Sequence, residues 1–170
     1  MNTSTTRNVL TAFIASPGDV NDERQATRKA VDELNKALKK INWHIELLGW
    51  EDTMPGFSRP QAQINKDLDL CQLFIGILWK RWGSKSGRYS SGFQEEFERA
   101  IKRQKETKIP EIWLSFKKVD PDSLNDPGEQ LKKVLAFKKK QISLRKVLFR
   151  SCFKTRNKGD LTISKSVWVN

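Results

Sequence analysis

Short apolar runs alternate along the chain with longer stretches of helical spacing. Val9-Leu10-Thr11-Ala12-Phe13-Ile14-Ala15 follows a polar start and predicts a buried strand. Ser16-Pro17-Gly18-Asp19 breaks it. Residues 20–41 then place Ala30, Val31, Leu34, Ala37, Leu38 and Ile41 at helical intervals. Asp19 suits the N-cap of that helix, because its carboxylate can accept the free N–H groups of a first turn. Residues 43–50 read as a second strand, 51–60 as a loop with proline and glycine, and 61–70 as a short helix. Residues 73–79 form the most continuous apolar run and a third strand. A glycine-, serine- and base-rich loop follows, and Ser91-Gly92-Phe93-Gln94 opens a helix with a capping box. Residues 109–116 predict a fourth strand and 117–128 a polar loop with Pro121 and Pro127. A lysine-rich helix over about 128–140 precedes a short fifth strand at 146–150. No element is expected beyond Phe153, and there is no internal repeat.

This order predicts an α/β fold: a parallel sheet covered on both faces, as in a flavodoxin-like three-layer sandwich with five strands in the order 2-1-3-4-5. The domain is expected over residues 9–150, after a polar lead at 1–8 and before a basic, poorly structured tail at 151–170. Such a sheet receives ligands beyond the carboxyl ends of strands 1 and 3, where the winding reverses. That rule selects two loops, residues 16–20 and 80–92, with 51–60 as a wall.

Composition narrows the chemistry. The chain has 170 residues, 37% of them apolar, enough to bury a core within one domain. No apolar run approaches the roughly 20 residues of a membrane helix, so no membrane span is expected. Met1 to Asn8 has no apolar stretch of the signal-peptide kind, and Cys71 and Cys152 form no disulfide framework; both favour the cytoplasm. His44, the one histidine, lies in a strand-like run, so zinc ligation and serine-histidine catalysis lack their parts and no metal or bound cofactor is expected. The charge is uneven. Residues 1–130 carry 20 basic and 19 acidic side chains, whereas residues 131–170 carry 12 and 1. The cationic end is suited to a polyanion such as a phosphate backbone, or is simply a solvated helix face with a loose tail.

The acidic residues near the start of the third helix can be ranked by geometry. Phe93, Phe97, Ala100 and Ile101 share the face that packs on the sheet, and at about 100° per residue Glu96 falls at the edge of that face. Glu95 is expected to point into solvent and Glu98 between the two. Glu96 is therefore the carboxylate that leans toward the crevice, where it can hold a ribose hydroxyl or stabilise an oxocarbenium ion. The macrodipole alone also favours all three acids there. Ser16 and Asp19 either cap the first helix or line the site. Trp50, Trp79 and Trp82 pack at strand ends or stack on a base. Arg88 and Lys85 pair with a pyrophosphate or are solvated. Gly83 and Gly87 are turn residues or let backbone approach a nucleotide. Neither a Walker loop nor Gly-x-Gly-x-x-Gly after strand 1 is present.

Phe13-Ile14-Ala15-Ser16-Pro17-Gly18-Asp19-Val20 followed by Glu23-Arg24, then Gly76-Ile77-Leu78-Trp79-Lys80-Arg81-Trp82-Gly83, then Ser91-Gly92-Phe93-Gln94-Glu95-Glu96-Phe97-Glu98-Arg99-Ala100, occur in order. Together they resemble a bacterial domain-of-unknown-function family with a Ser-Pro-Gly-Asp-Val signature, over roughly residues 8–140. That family is regarded as similar to TIR domains and nucleoside deoxyribosyltransferases, and often heads larger proteins, some of them tied to antiviral defence or signalling. The resemblance implies a TIR-like fold and cleavage of an N-glycosidic bond, with NAD or a nucleotide as substrate rather than cofactor. The transferases carry a Gly-Thr-x-x-Glu stretch with the catalytic glutamate. Gly92-Phe93-Gln94-Glu95-Glu96 lines up with it and places Glu96 at that position. Phe93 departs from the small hydroxyl residue usual there, and the cationic end after about Lys140 departs from the usual continuation.

Three function classes follow. The first is an N-glycosidase, a hydrolase using Glu96, with Ser16, Asp19, Trp50, Trp82 and Arg88 binding a nucleotide-type substrate. The second is a non-catalytic TIR-like module that self-associates. The third binds nucleic acid or an anionic surface through residues 131–170.

Overall fold

The structure, a computed structural model, describes side chains over residues 6–49 and 64–143, and backbone alone over 61–63 and the strands at 148–151, 153–156 and 160–163. Four parallel strands form the sheet: β1 (Asn8–Ala15), β2 (Trp43–Gly49), β3 (Leu73–Leu78) and β4 (Glu111–Phe116), in the order β2-β1-β3-β4. β1 pairs with β2 from Asn8 opposite Trp43 to Ile14 opposite Gly49, and with β3 from Ala12 opposite Leu73. Five helices are described: α1 (Asn21–Leu38), α2 (Gln61–Leu70), α3 (Gly92–Thr107), α4 (Pro121–Asn125) and α5 (Glu129–Ser143). Past α5 come β5 (Leu148–Ser151), then β6 (Phe153–Arg156) and β7 (Asp160–Ile163), which pair antiparallel.

Strand alternation sorts the core. Phe13, Phe74, Leu78, Ile112, Leu114 and Phe116 point to one face, where they meet Leu68 of α2, Phe97 of α3 and Val134 of α5. Ile14 and Ile77 point to the other face and meet Val20 at the start of α1. Phe97 and Phe137 cross at 86° with ring centroids 5.0 Å apart, tying α3 to α5. Each such buried side chain contributes about 1.5–3 kcal/mol. At the centre of this face β3 has Gly76, whose missing side chain makes room for the Phe93 ring. A Cβ there would sit 3.2 Å from that ring and overlap Leu114. Gly76→Ala is therefore expected to destabilise the fold by about 1–3 kcal/mol, read as a lower midpoint in thermal or urea unfolding; an unchanged midpoint would mean the sheet gives way freely at this point.

The expectation of no element beyond Phe153 is corrected by the β6–β7 pair, and three further local expectations are corrected. The N-cap of α1 is Val20, with no side-chain cap, because the Asp19 carboxylate is engaged elsewhere. The apolar side of α1 is only partly covered: Leu34 is 52% exposed, and the buried residues of the helix are Glu23 and Arg24. α1 runs along β2, an edge strand, and Asn35 bonds both the N–H and the C=O of Ile45 at 2.7 and 2.9 Å, so a side chain satisfies backbone that another strand would otherwise pair. The stretch read as a loop at 117–128 contains α4. Asp120 caps it by accepting the Ser123 N–H at 2.8 Å, and Pro121 stands in its first turn, a start signal present in the sequence. Among the described residues no helix is long and apolar enough to cross a membrane.

Candidate functional site

The turn after β1 and the loop after β3 meet. Asp19 Oδ2 accepts the N–H groups of Lys80 and Arg81, each at 2.9 Å. Gln130 of α5 accepts the next two, those of Trp82 at 2.8 Å and Gly83 at 3.1 Å. Gly83 has φ of +99°, a conformation that favours glycine, and the backbone turns there. A short bridge between Ser86 and Tyr89 closes the far part of the loop.

The loop delivers the chain into α3. Ser91 is the N-cap and accepts the Gln94 N–H at 3.1 Å. The Gln94 side chain reaches back to the Ser90 N–H at 3.0 Å, one residue earlier than an ideal capping box. Phe93, Glu96, Phe97 and Ala100 form the buried face of the helix. Glu96 is 8% exposed, and no described residue donates a hydrogen bond to it. Burial, aided by the neighbouring Glu95, pushes its carboxyl up to about 8. The expectation that Glu95 points into solvent is corrected: it is half-buried and accepts the Ser86 hydroxyl at 2.7 Å. Glu98 is exposed and bonded to Gln94 at 2.7 Å.

The other sequence-derived candidates scatter. Ser16 is buried and accepts from Arg24 at 3.3 Å, a guanidinium that also reaches the Pro17 carbonyl at 3.1 Å. Trp82 is 5% exposed, against Phe93 and Phe137, with its indole N–H on Ser90 at 2.7 Å; this ring is core and has no face to offer a base. Arg88 is exposed and bonds the Tyr89 hydroxyl at 2.9 Å. Trp79 carries the ammonium groups of Lys80 and Lys117 over its ring at 4.8 and 4.3 Å. Trp50 and the wall loop at 51–60 lie outside the described residues, as do the side chains of the cationic end beyond α5. Lys132, Lys133, Lys139 and Lys140 of α5 are exposed. Phe93 stacks on Phe97 at 6.2 Å within the core, so its bulk goes inward, against Gly76.

These blocks, in this order along one wound sheet, are what a family comparison can read. The profile of a family described as a domain of unknown function (DUF4062) matches residues 11–166. The chain belongs to the DUF4062 family. The match extends to residue 166, beyond the roughly 140 at which the resemblance in the motifs ends, and so takes in most of the cationic end. No curated protein matches the chain.

Within this DUF4062 domain, two sets of working residues carry no local sequence signal. Gln130 meets residues 82 and 83 only through the packing of α5. Arg103 donates to the carbonyls of Leu68 and Cys71 at 3.0 and 2.5 Å, holding the end of α2, while Arg99 makes a bidentate pair with Asp69 at 2.8 and 2.6 Å. Burial pushes the Cys71 thiol up to about 11, so it offers no thiolate nucleophile at neutral pH. Among the described residues no three acidic, histidine or cysteine side chains converge on a metal position.

Proposed function

We propose that this DUF4062 chain is a TIR-like domain that cleaves the N-glycosidic bond of NAD or a related nucleotide, with Glu96 as the catalytic carboxylate. The observation that carries the reading is the state of Glu96: a buried acid with no hydrogen-bond donor among the described residues, on the helix that the β3 loop opens. Structural carboxylates are normally paired; a largely buried acid on which no described residue donates is suited to meet a developing positive charge. The placement of β5 beside β4, Trp113 opposite Leu148 onward, supports the five-stranded flavodoxin-like form of the fold.

The chemistry balances without a cofactor. The bond between C1′ of the ribose and the base nitrogen breaks, and its electron pair leaves with the base; nicotinamide departs neutral. The ionised Glu96 stabilises the ribosyl cation. Water adds to C1′ and gives its proton to the carboxylate. Arg88, exposed on the β3 loop, takes the phosphate arm. Release of nicotinamide by wild type, tested also under conditions that promote assembly, and its loss in Glu96→Gln, is the test. No release from wild type, or equal release from both, rejects the proposal.

A second reading is self-association without turnover. Val9 on β1, Leu34 on α1, Ile41 in the 3-10 turn Lys39–Ile41 and Trp43 on β2 are each more than 40% exposed, at or near the amino ends of the two strands. Sedimentation is expected to show a concentration-dependent oligomer that Trp43→Glu disperses; a wild-type monomer at all concentrations removes this reading.

A further inference from the structure

Four consecutive backbone N–H groups leave β3, and side chains distant in sequence take all of them. Asp19 Oδ2 holds those of Lys80 and Arg81, and Gln130 Oε1 holds those of Trp82 and Gly83. Each oxygen sits in the bite of two adjacent amides. Adjacent amides converging on one point form an anion-binding concavity. The end of β3 beside β1 is also where a wound sheet receives its ligand. An empty cradle here would draw a phosphate oxygen. Gln130 fills its pair of amides without charge. Asp19 fills the other pair with a carboxylate, and its second oxygen, Oδ1, is buried without a hydrogen-bond partner among the described residues. A carboxylate with one oxygen so placed repels a second anion with little solvent to screen it.

We propose that Asp19 is a built-in anion: it occupies the amide cradle at the β1–β3 junction and keeps phosphate out, so that a nucleotide at this rim presents its uncharged sugar or base there. The occupancy stands on the hydrogen bonds alone; the consequence for a nucleotide rests on the reading in the preceding subsection. The two fit together. The bond to be cut joins sugar to base, and a rim closed to phosphate turns the phosphate arm outward, toward the exposed Arg81, Lys85 and Arg88.

The test is a millimolar titration of inorganic phosphate into nitrogen-15-labelled protein, followed at the amide resonances of Lys80 and Arg81. Wild type is expected to show no saturable shift at either. Asp19→Ala empties the cradle and is expected to show saturable shifts at both. Asp19→Asn keeps an oxygen in place while removing its charge, and is expected to respond at higher phosphate; it carries the test if the alanine variant does not fold. Saturable shifts in wild type, or a folded variant whose two amides ignore phosphate, overturn the proposal. Failure of wild type to cleave NAD would remove the glycosidase reading and leave this titration as informative as before.

Discussion

Glu96→Gln is expected to lower the rate of N-glycosidic cleavage by about 10³-fold or more, with little change in the fold. Glutamine has the shape of the protonated acid, so the helix face around it keeps its packing. What it lacks is the negative charge. Nicotinamide carries a positive charge in NAD and leaves without a proton, so the proposed reaction needs only the ribosyl cation to be stabilised. At pH 7 a group titrating at about 8 is mostly protonated. Ionising it there costs about 1.4 kcal/mol, which a ribosyl cation beside a largely buried carboxylate would offset. The working form is then the carboxylate. For wild type, kcat/KM is expected to rise about tenfold per pH unit below 8 and to flatten above. Nicotinamide release measured from pH 6 to pH 9 checks both statements. A flat profile, or one that falls with rising pH, would show that the ionised carboxylate does not limit the reaction.

How much of this was legible in the sequence depends on the range of the interactions. The alternation of strands and helices follows from local periodicity, and the central strands, α2 and α3 appear close to where the apolar runs put them. Glu96 ranks first in the sequence because the helical angle is set by Phe93, Phe97 and Ala100, four residues or fewer away, and in the structure it lies on the buried face with them. Asp19 shows the limit. Its position after a strand and before a helix fits an N-cap, yet the donors it serves belong to Lys80 and Arg81, 61 and 62 residues on. Local capping is worth about 1 kcal/mol, and a carboxylate taking two backbone donors competes with it easily. Trp82 fails for a related reason. A strand end can turn its side chain outward or inward, and only the arrival of Phe137 from α5 decides that the ring is core. Gln130, which closes the same loop, had no signal at all, because any amide on that turn of α5 would look the same in sequence.

The same carboxylate is expected to make the protein less stable as pH rises. In the unfolded chain Glu96 titrates near 4.5, and in the folded protein burial moves it to about 8. Between these values the folded state holds a proton that the unfolded state releases, so unfolding is favoured by higher pH. The stability from keeping the acid neutral is complete below about 4.5 and is lost as pH climbs through 8. Across that window the full difference is on the order of 4–5 kcal/mol at 1.36 kcal/mol per unit, a large share of the roughly 5–15 kcal/mol of an ordinary domain. Glu96→Gln has no proton to lose. It is expected to match wild type near pH 4.5 and to melt on the order of 10 °C higher at pH 9. Comparing the two proteins at each pH cancels every other titrating group they share. A gap in melting temperature that stays constant from pH 4.5 to pH 9 would mean that Glu96 is ionised and compensated in the folded state, and would remove the uncompensated carboxylate on which the proposed cleavage rests. A gap that opens with pH, in a variant that has lost turnover, would show that this fold gives up stability at Glu96 in order to hold an uncompensated acid where the chemistry needs it.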